Sequence, residues 1–181
     1  MALTATVYHL RVELSDIDRD VYESLDLRVA RHPSETMRFL LLRVLAYCLC
    51  YEEGIAFSKG LAVTDEPAVW TRLGDGRVTR WIDIGRPSIE RLHKARKLTE
   101  RVSVFTADPP DFLRREAQGA KLHRGDDIEV CTVDPALLAA LEEKIDRKTA
   151  LTVVRTEGTL YVTVDGVSHE GAITRSPLVD V

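Results

Sequence analysis

Residues 37–51, MRFLLLRVLAYCLCY, constrain this chain more than any other stretch. Apolar side chains recur at every helical spacing, and Arg38 and Arg43 are the only charges. A helix apolar nearly all round has no face to give to water, so it must lie inside, packed against a sheet. The reading places the helix start at Arg31-His32-Pro33-Ser34-Glu35 and its end near Glu53, before Gly54. Pro33 suits a first helical turn, and Glu35 then faces the positive end of the helix dipole. Arg43, isolated among apolar neighbours, is expected to pair with a buried carboxylate and to orient a site acid.

The flanking segments supply the sheet. Tyr8, Leu10, Val12 and Leu14 alternate with polar residues, as do Leu25, Leu27 and Val29, which predicts two half-buried antiparallel strands. Residues 78–84 read as a strand, followed by Gly85-Arg86-Pro87-Ser88 capping a helix to about Leu98. Residues 102–105 and 128–133 are further strands, with a short helix opened by Pro109-Pro110-Asp111 between them. Asp134-Pro135 starts a helix through about Ile145, and residues 151–155 and 159–164 form a hairpin around Glu157-Gly158. Strand and helix alternate in the middle, with hairpins at both ends. The fold class is α/β (α+β): one domain over residues 1–181, a mixed β-sheet flanked by helices, with terminal β-hairpins.

Several function classes drop out. The longest apolar stretch begins at residues 39–42, is interrupted by Arg43 before it resumes, and is too short to span a bilayer. No secretory leader pattern opens the chain, so no membrane association and a cytoplasmic location are expected. Cys48, Cys50 and Cys131 have no zinc-ligand spacing and are read as reduced packing residues. Leu73-Gly74-Asp75-Gly76-Arg77 reads as a tight turn, not a dinucleotide fingerprint. A net charge of −4 argues against a protein that coats nucleic acid non-specifically. Residues 77–101 nevertheless hold eight Lys or Arg against three acids, which suits either a solvated helix face or a phosphate-binding one.

Chemistry concentrates at Asp65-Glu66-Pro67 and Trp81-Ile82-Asp83-Ile84-Gly85, with Lys94 downstream. Carboxylates on neighbouring elements can hold a hard divalent cation, which activates water and stabilises charge on a phosphoryl oxygen. Each residue also has a plainer explanation. Glu35 could close a capping box, Asp65 and Glu66 could sit in a surface turn, and Lys94 could lie on an exposed helix face. Asp83, between two isoleucines, needs a metal, a cation or an edge position to justify its charge. His32 beside Pro33 reads as a capping or packing residue, and His9, His93, His123 and His169 form no cluster in sequence.

Taken together, Ala30-Arg31-His32-Pro33-Ser34-Glu35-Thr36, Asp65-Glu66-Pro67 with Trp70, Trp81-Ile82-Asp83-Ile84-Gly85 with Pro87, and Lys94-Ala95 resemble the YaeQ family, as does the start Met1-Ala2-Leu3-Thr4. The resemblance implies a PD-(D/E)XK, restriction-endonuclease-like core. In such a core Glu35 is the helix acid, Asp65 or Glu66 the first strand-side acid, and Asp83 the acid of the (D/E)XK element. Gly85 stands where that pattern has lysine, which leaves Lys94 as a migrated replacement. The implied catalytic set is Glu35, Glu66, Asp83 and Lys94, with Asp65, Glu66 and Asp83 as ligands of Mg²⁺ or Mn²⁺. Two functions are expected in parallel: a metal-dependent phosphodiesterase acting on nucleic acid, or an inactive descendant that binds nucleic acid or a protein partner.

Overall fold

A computed structural model describes residues 4–59, 64–120, 122 and 124–179. Its centre is the apolar helix α1 (Met37–Leu49), nine of whose side chains are buried. The helix begins later than the sequence suggests. Thr36 is the N-cap, its side-chain oxygen accepting from Phe39 N at 3.1 Å. Residues 32–35 form a separate turn closed by Glu35 N donating to His32 O at 2.9 Å. Pro33 and Glu35 therefore precede the helix: a threonine with its oxygen on the N3 amide ends the turn and starts the helix in one step.

Ten strands form one mixed sheet around this helix among the described residues. In chain order they are β1 (Thr6–Asp16), β2 (Val21–Arg31), β3 (Ile55–Phe57), β4 (Val69–Arg72), β5 (Val78–Ile84), β6 (Val102–Thr106), β7 (Ile128–Val133), β8 (Lys148–Thr156), β9 (Thr159–Val164) and β10 (Val167–Pro177). Their order across the sheet is β2-β1-β8-β9-β10-β7-β6-β5-β4-β3. Helices α2 (Ile89–Leu98) and α3 (Asp111–Ala120) make the crossovers between the parallel strands β5, β6 and β7. Helix α4 (Pro135–Glu142) packs on α1 and β10. Because α1 touches β2 at one edge and β3 at the other, the sheet curls around it. The architecture is α+β, dominated by strand.

Two features join the halves of the sheet. β1 runs parallel to β8, bringing His9 beside Lys148. β10 changes partner midway: Ala172 still faces Thr159 of β9, whereas Ile173 faces Val133 of β7. Gly171 stands at that switch, where a Cβ would lie 2.7 Å from Leu137 Cβ and 2.9 Å from Asp134 Cβ. A glycine in a strand at such a point lets another element approach the backbone closely, here α4. The long β10, the short β3 and β4, and the second tight turn at Asp165-Gly166 are absent from the sequence reading. Among the described residues no helix is long and apolar enough to cross a membrane.

Candidate functional site

Strand β5 alternates its side chains across the sheet, and this decides what Asp83 can meet. Ile82 and Ile84 join the core around α1, while Trp81 packs with Leu92 and Ala95 of α2. Asp83, two residues from Trp81, shares that second face. Its carboxylate is 4% exposed and fully engaged. Trp81 Nε1 donates to Oδ2 at 2.9 Å, and Arg91 donates Nε to Oδ2 and Nη2 to Oδ1, both at 2.9 Å. The fork geometry is the strong, bidentate form of an arginine–carboxylate pair. The same guanidinium donates to the carbonyls of Thr64 and Glu66 and lies 5.5 Å from the centre of the Trp81 ring. One arginine thus holds the Asp65-Glu66-Pro67 segment against the end of β5.

Glu35 is built in the same way, on the α1 side of the chain. It is 3% exposed, and Arg43 of α1 grips it with Nε to Oε1 at 2.9 Å and Nη2 to Oε2 at 3.0 Å. Oε2 also accepts from His32 N at 3.3 Å, and Arg43 Nη2 reaches Ala30 O at 2.8 Å. The expected partner of Arg43 is therefore Glu35. His32 is held locally, its Nδ1 2.7 Å from Ser34 Oγ.

Where β4 begins, β5 loses its neighbour on that side, and a cavity of about 240 Å³ opens. Phe39 and Arg43 line it from the α1 side, Asp83 and Arg91 from the α2 side, with Glu66 and Pro67 across the mouth. Glu66 and Asp83 thus share one cavity. Asp65 is exposed and is not among the lining residues. Glu35 lies behind Arg43, which pairs with it, and is not itself among the lining residues.

Lys94 does not reach this place. Its side chain is 66% exposed and its ammonium lies 3.4 Å from Glu90 Oε1, one turn back on the outer face of α2. The inner face of α2 is set by Leu92 and Ala95, both fully buried, so Lys94 falls on the opposite side. The cation that meets Asp83 is Arg91. Helical side chains lean toward the N-terminus, and Arg91 stands one turn nearer the strand end than Lys94. The sequence reading passed over Arg91, whose place three residues after the capping Ser88 puts it in the first turn of α2, with its N 3.2 Å from Ser88 Oγ. Gly85 has φ +77, a left-handed backbone that resists a side chain, so a lysine at this position would be strained.

These residues do not fit a metal as they stand. Among the described residues no group of three or more His, Cys, Asp or Glu is placed to hold one. Glu35 and Asp83 are each already neutralised by a bidentate guanidinium, and Glu66 Oε2 accepts from Lys59 N at 3.2 Å. Carboxylates serve Mg²⁺ through free oxygen lone pairs, and three of the four on Asp83 accept from Arg91 and Trp81.

A model of the YaeQ protein family matches residues 1–173. The chain belongs to the YaeQ family. An uncharacterized YaeQ protein of Escherichia coli (strain K12) is 32% identical over 180 residues, covering 96% of this chain and 97% of the relative. One from Salmonella typhi is 32% identical over 168 residues, 90% of each chain. The crystal structure of the YaeQ protein from Pseudomonas syringae superposes with a TM-score of 0.85 at 35% identity, covering 94% of this chain and 95% of that one. The YaeQ protein from Xanthomonas axonopodis pv. citri gives 0.86 at 29%, covering 95% and 98%. The family fold therefore extends through the curled sheet, including the terminal strands outside the cavity region.

Proposed function

We propose that this protein is a binding module on a nuclease-like scaffold, taking a base of single-stranded nucleic acid into the cavity beside Asp83 without hydrolysing it. The observation that carries the reading is the occupation of both Asp83 oxygens by Arg91 and Trp81. Acids on the adjoining segments of β4 and β5, with Glu35 just before α1, support a PD-(D/E)XK-like origin for the scaffold. The cavity walls are apolar through Phe39, Pro67, Ala68, Ile84 and Pro87. Its three arginines are each matched by an acid: Arg43 by Glu35, Arg91 by Asp83, and Arg86 by Asp108 at 2.8 Å. Glu66 adds a further acid, so the cavity has no surplus positive charge, and with apolar walls it suits a flat amphipathic group such as a nucleobase better than a bare phosphate. At its rim the Arg86 guanidinium lies 4.5 Å from the ring centre of the exposed Phe112, a surface on which a neighbouring base can stack.

A second reading, the metal-dependent phosphodiesterase using Mg²⁺ or Mn²⁺, is favoured by one observation, that Glu66 and Asp83 line the same cavity. Fluorescence anisotropy with labelled single-stranded oligonucleotides separates the two. Saturable binding in EDTA, weakened several-fold by Phe112→Ala, with no cleavage on adding Mg²⁺ or Mn²⁺, is the expected result. Cleavage that requires the divalent ion and disappears in Asp83→Asn establishes the second reading. Binding to no oligonucleotide defeats the first.

A further inference from the structure

Strand β2 closes one edge of the sheet, with β1 as its only strand partner among the described residues. It is 11 residues long, and a long unpaired edge is a template for another strand unless something guards or fills it. Its charges are arranged with unusual symmetry. Reading outward from Leu27, the sequence gives Asp26 and Arg28, then Leu25 and Val29, then Ser24 and Ala30, then Glu23 and Arg31. Each acid on one side is mirrored by a base on the other, and Leu25 by Val29. Glu23, Asp26 and Arg28 are exposed and have no side-chain hydrogen bond or ion pair among the described residues. Most arginines here are tied to a carboxylate, so an exposed Arg28 two residues from an equally unpaired Asp26 needs a reason.

We propose that β2 is the interface of a two-fold dimer, pairing antiparallel with β2 of a second copy about an axis beside Leu27. In an isologous contact residue i meets j and j meets i, so the symmetry of the sequence becomes complementarity of the surface. Asp26 then faces the partner's Arg28, and Glu23 faces the partner's Arg31, each pair occurring twice. Leu27 meets its own copy on the buried side of the sheet, beside the Leu25–Val29 pairs, and the apolar core continues across the axis. The carbonyl of Ala30 already accepts from Arg43 at 2.8 Å and keeps its second lone pair for the partner strand.

The charges also fix the register. A slip that centres the pairing on Asp26 sets the two Asp26 side chains opposite each other, and one centred on Arg28 does the same to the two arginines. Like charges directly opposite are destabilising. A slip of half that size turns the apolar side chains outward. A guard made only of charge would repel an incoming strand in every register; here the register centred on Leu27 is the one that sets both acids opposite bases. The inference is independent of what the cavity beside Asp83 binds.

Sedimentation equilibrium over a range of concentrations tests it. The wild type is expected to approach twice the 20.3 kDa of one chain as concentration rises. Asp26→Arg alone, or Arg28→Asp alone, converts two attractive pairs into two repulsive ones and should weaken association by about tenfold or more. The double variant Asp26→Arg with Arg28→Asp restores opposite charges across the axis and should restore the dimer. Both side chains are exposed, so circular dichroism should report an unchanged fold. Should either single variant unfold, slower exchange of β2 edge amides in the wild type at high protein concentration gives the same information. A wild type that stays monomeric at its highest soluble concentration overturns the proposal, as does a dimer indifferent to the single reversals.

Discussion

Glu35 and Arg43 show how much a single buried pair can decide. Both side chains are essentially sealed, at 1% and 2% exposure, and two direct hydrogen bonds join them. Removing one partner strands a charge where solvation is lost, which costs about 3–5 kcal/mol, whereas replacing both by isosteric neutral groups is often close to neutral. Arg43→Met should therefore lower stability by about 3–5 kcal/mol in urea unfolding, and adding Glu35→Gln should recover much of that loss. Strictly additive losses in the double variant would mean that the pair is not coupled. At this scale the sequence was half legible. An arginine alone in an apolar helix announces a buried acid, and Asp83 between isoleucines announces a compensating cation. The cation was assigned to Lys94 instead of Arg91, because the two share one helix and the face each presents is fixed by how α2 lies on the sheet.

The elements were more legible where local signals are strong. Alternation marked β1 and β2, residues 78–84 and 128–133 read directly as strands, Ser88 marked the start of α2, and Glu157-Gly158 marked the β8–β9 turn, whose two residues have φ 49 and 73. What escaped was held by long-range pairing. β3 has three residues and β4 has four, too few to show a period, and each persists because its neighbour supplies hydrogen bonds. β10 carries a glycine at its midpoint and polar residues along most of its length, and it is a strand because β9 and then β7 require one. The thiols of α1 and its C-cap and of β7 carry a pH prediction. Burial, partly offset by the charge of Arg19, pushes Cys48 up to about 12 from an ordinary 9.0, and burial also raises Cys50 and Cys131. Between those limits the folded thiol keeps a proton that the unfolded chain releases, so its stabilisation is complete below about pH 9 and is lost as pH rises toward 12. Urea midpoints should fall across that alkaline range, and Cys48→Ala should flatten the fall; an unchanged pH slope in that variant would contradict the assignment.

Over the whole molecule, the curled sheet places α1 inside and leaves both acid–arginine pairs at the strand ends around one cavity. The sequence indicated an apolar helix packed on a sheet, but not that one sheet would enclose it, since the β1–β8 pairing joins residues about 140 positions apart and leaves no local trace. The central claim is that Asp83 is committed to Arg91 and is not a metal ligand in waiting. Isothermal titration of Mg²⁺ and Mn²⁺ into the wild type and into Arg91→Ala tests it directly. The wild type should give no saturable heat at millimolar ion, whereas Arg91→Ala, with both Asp83 oxygens and the nearby Glu66 released, should gain weak binding. Saturable binding by the wild type that is abolished by Asp83→Asn would contradict the account.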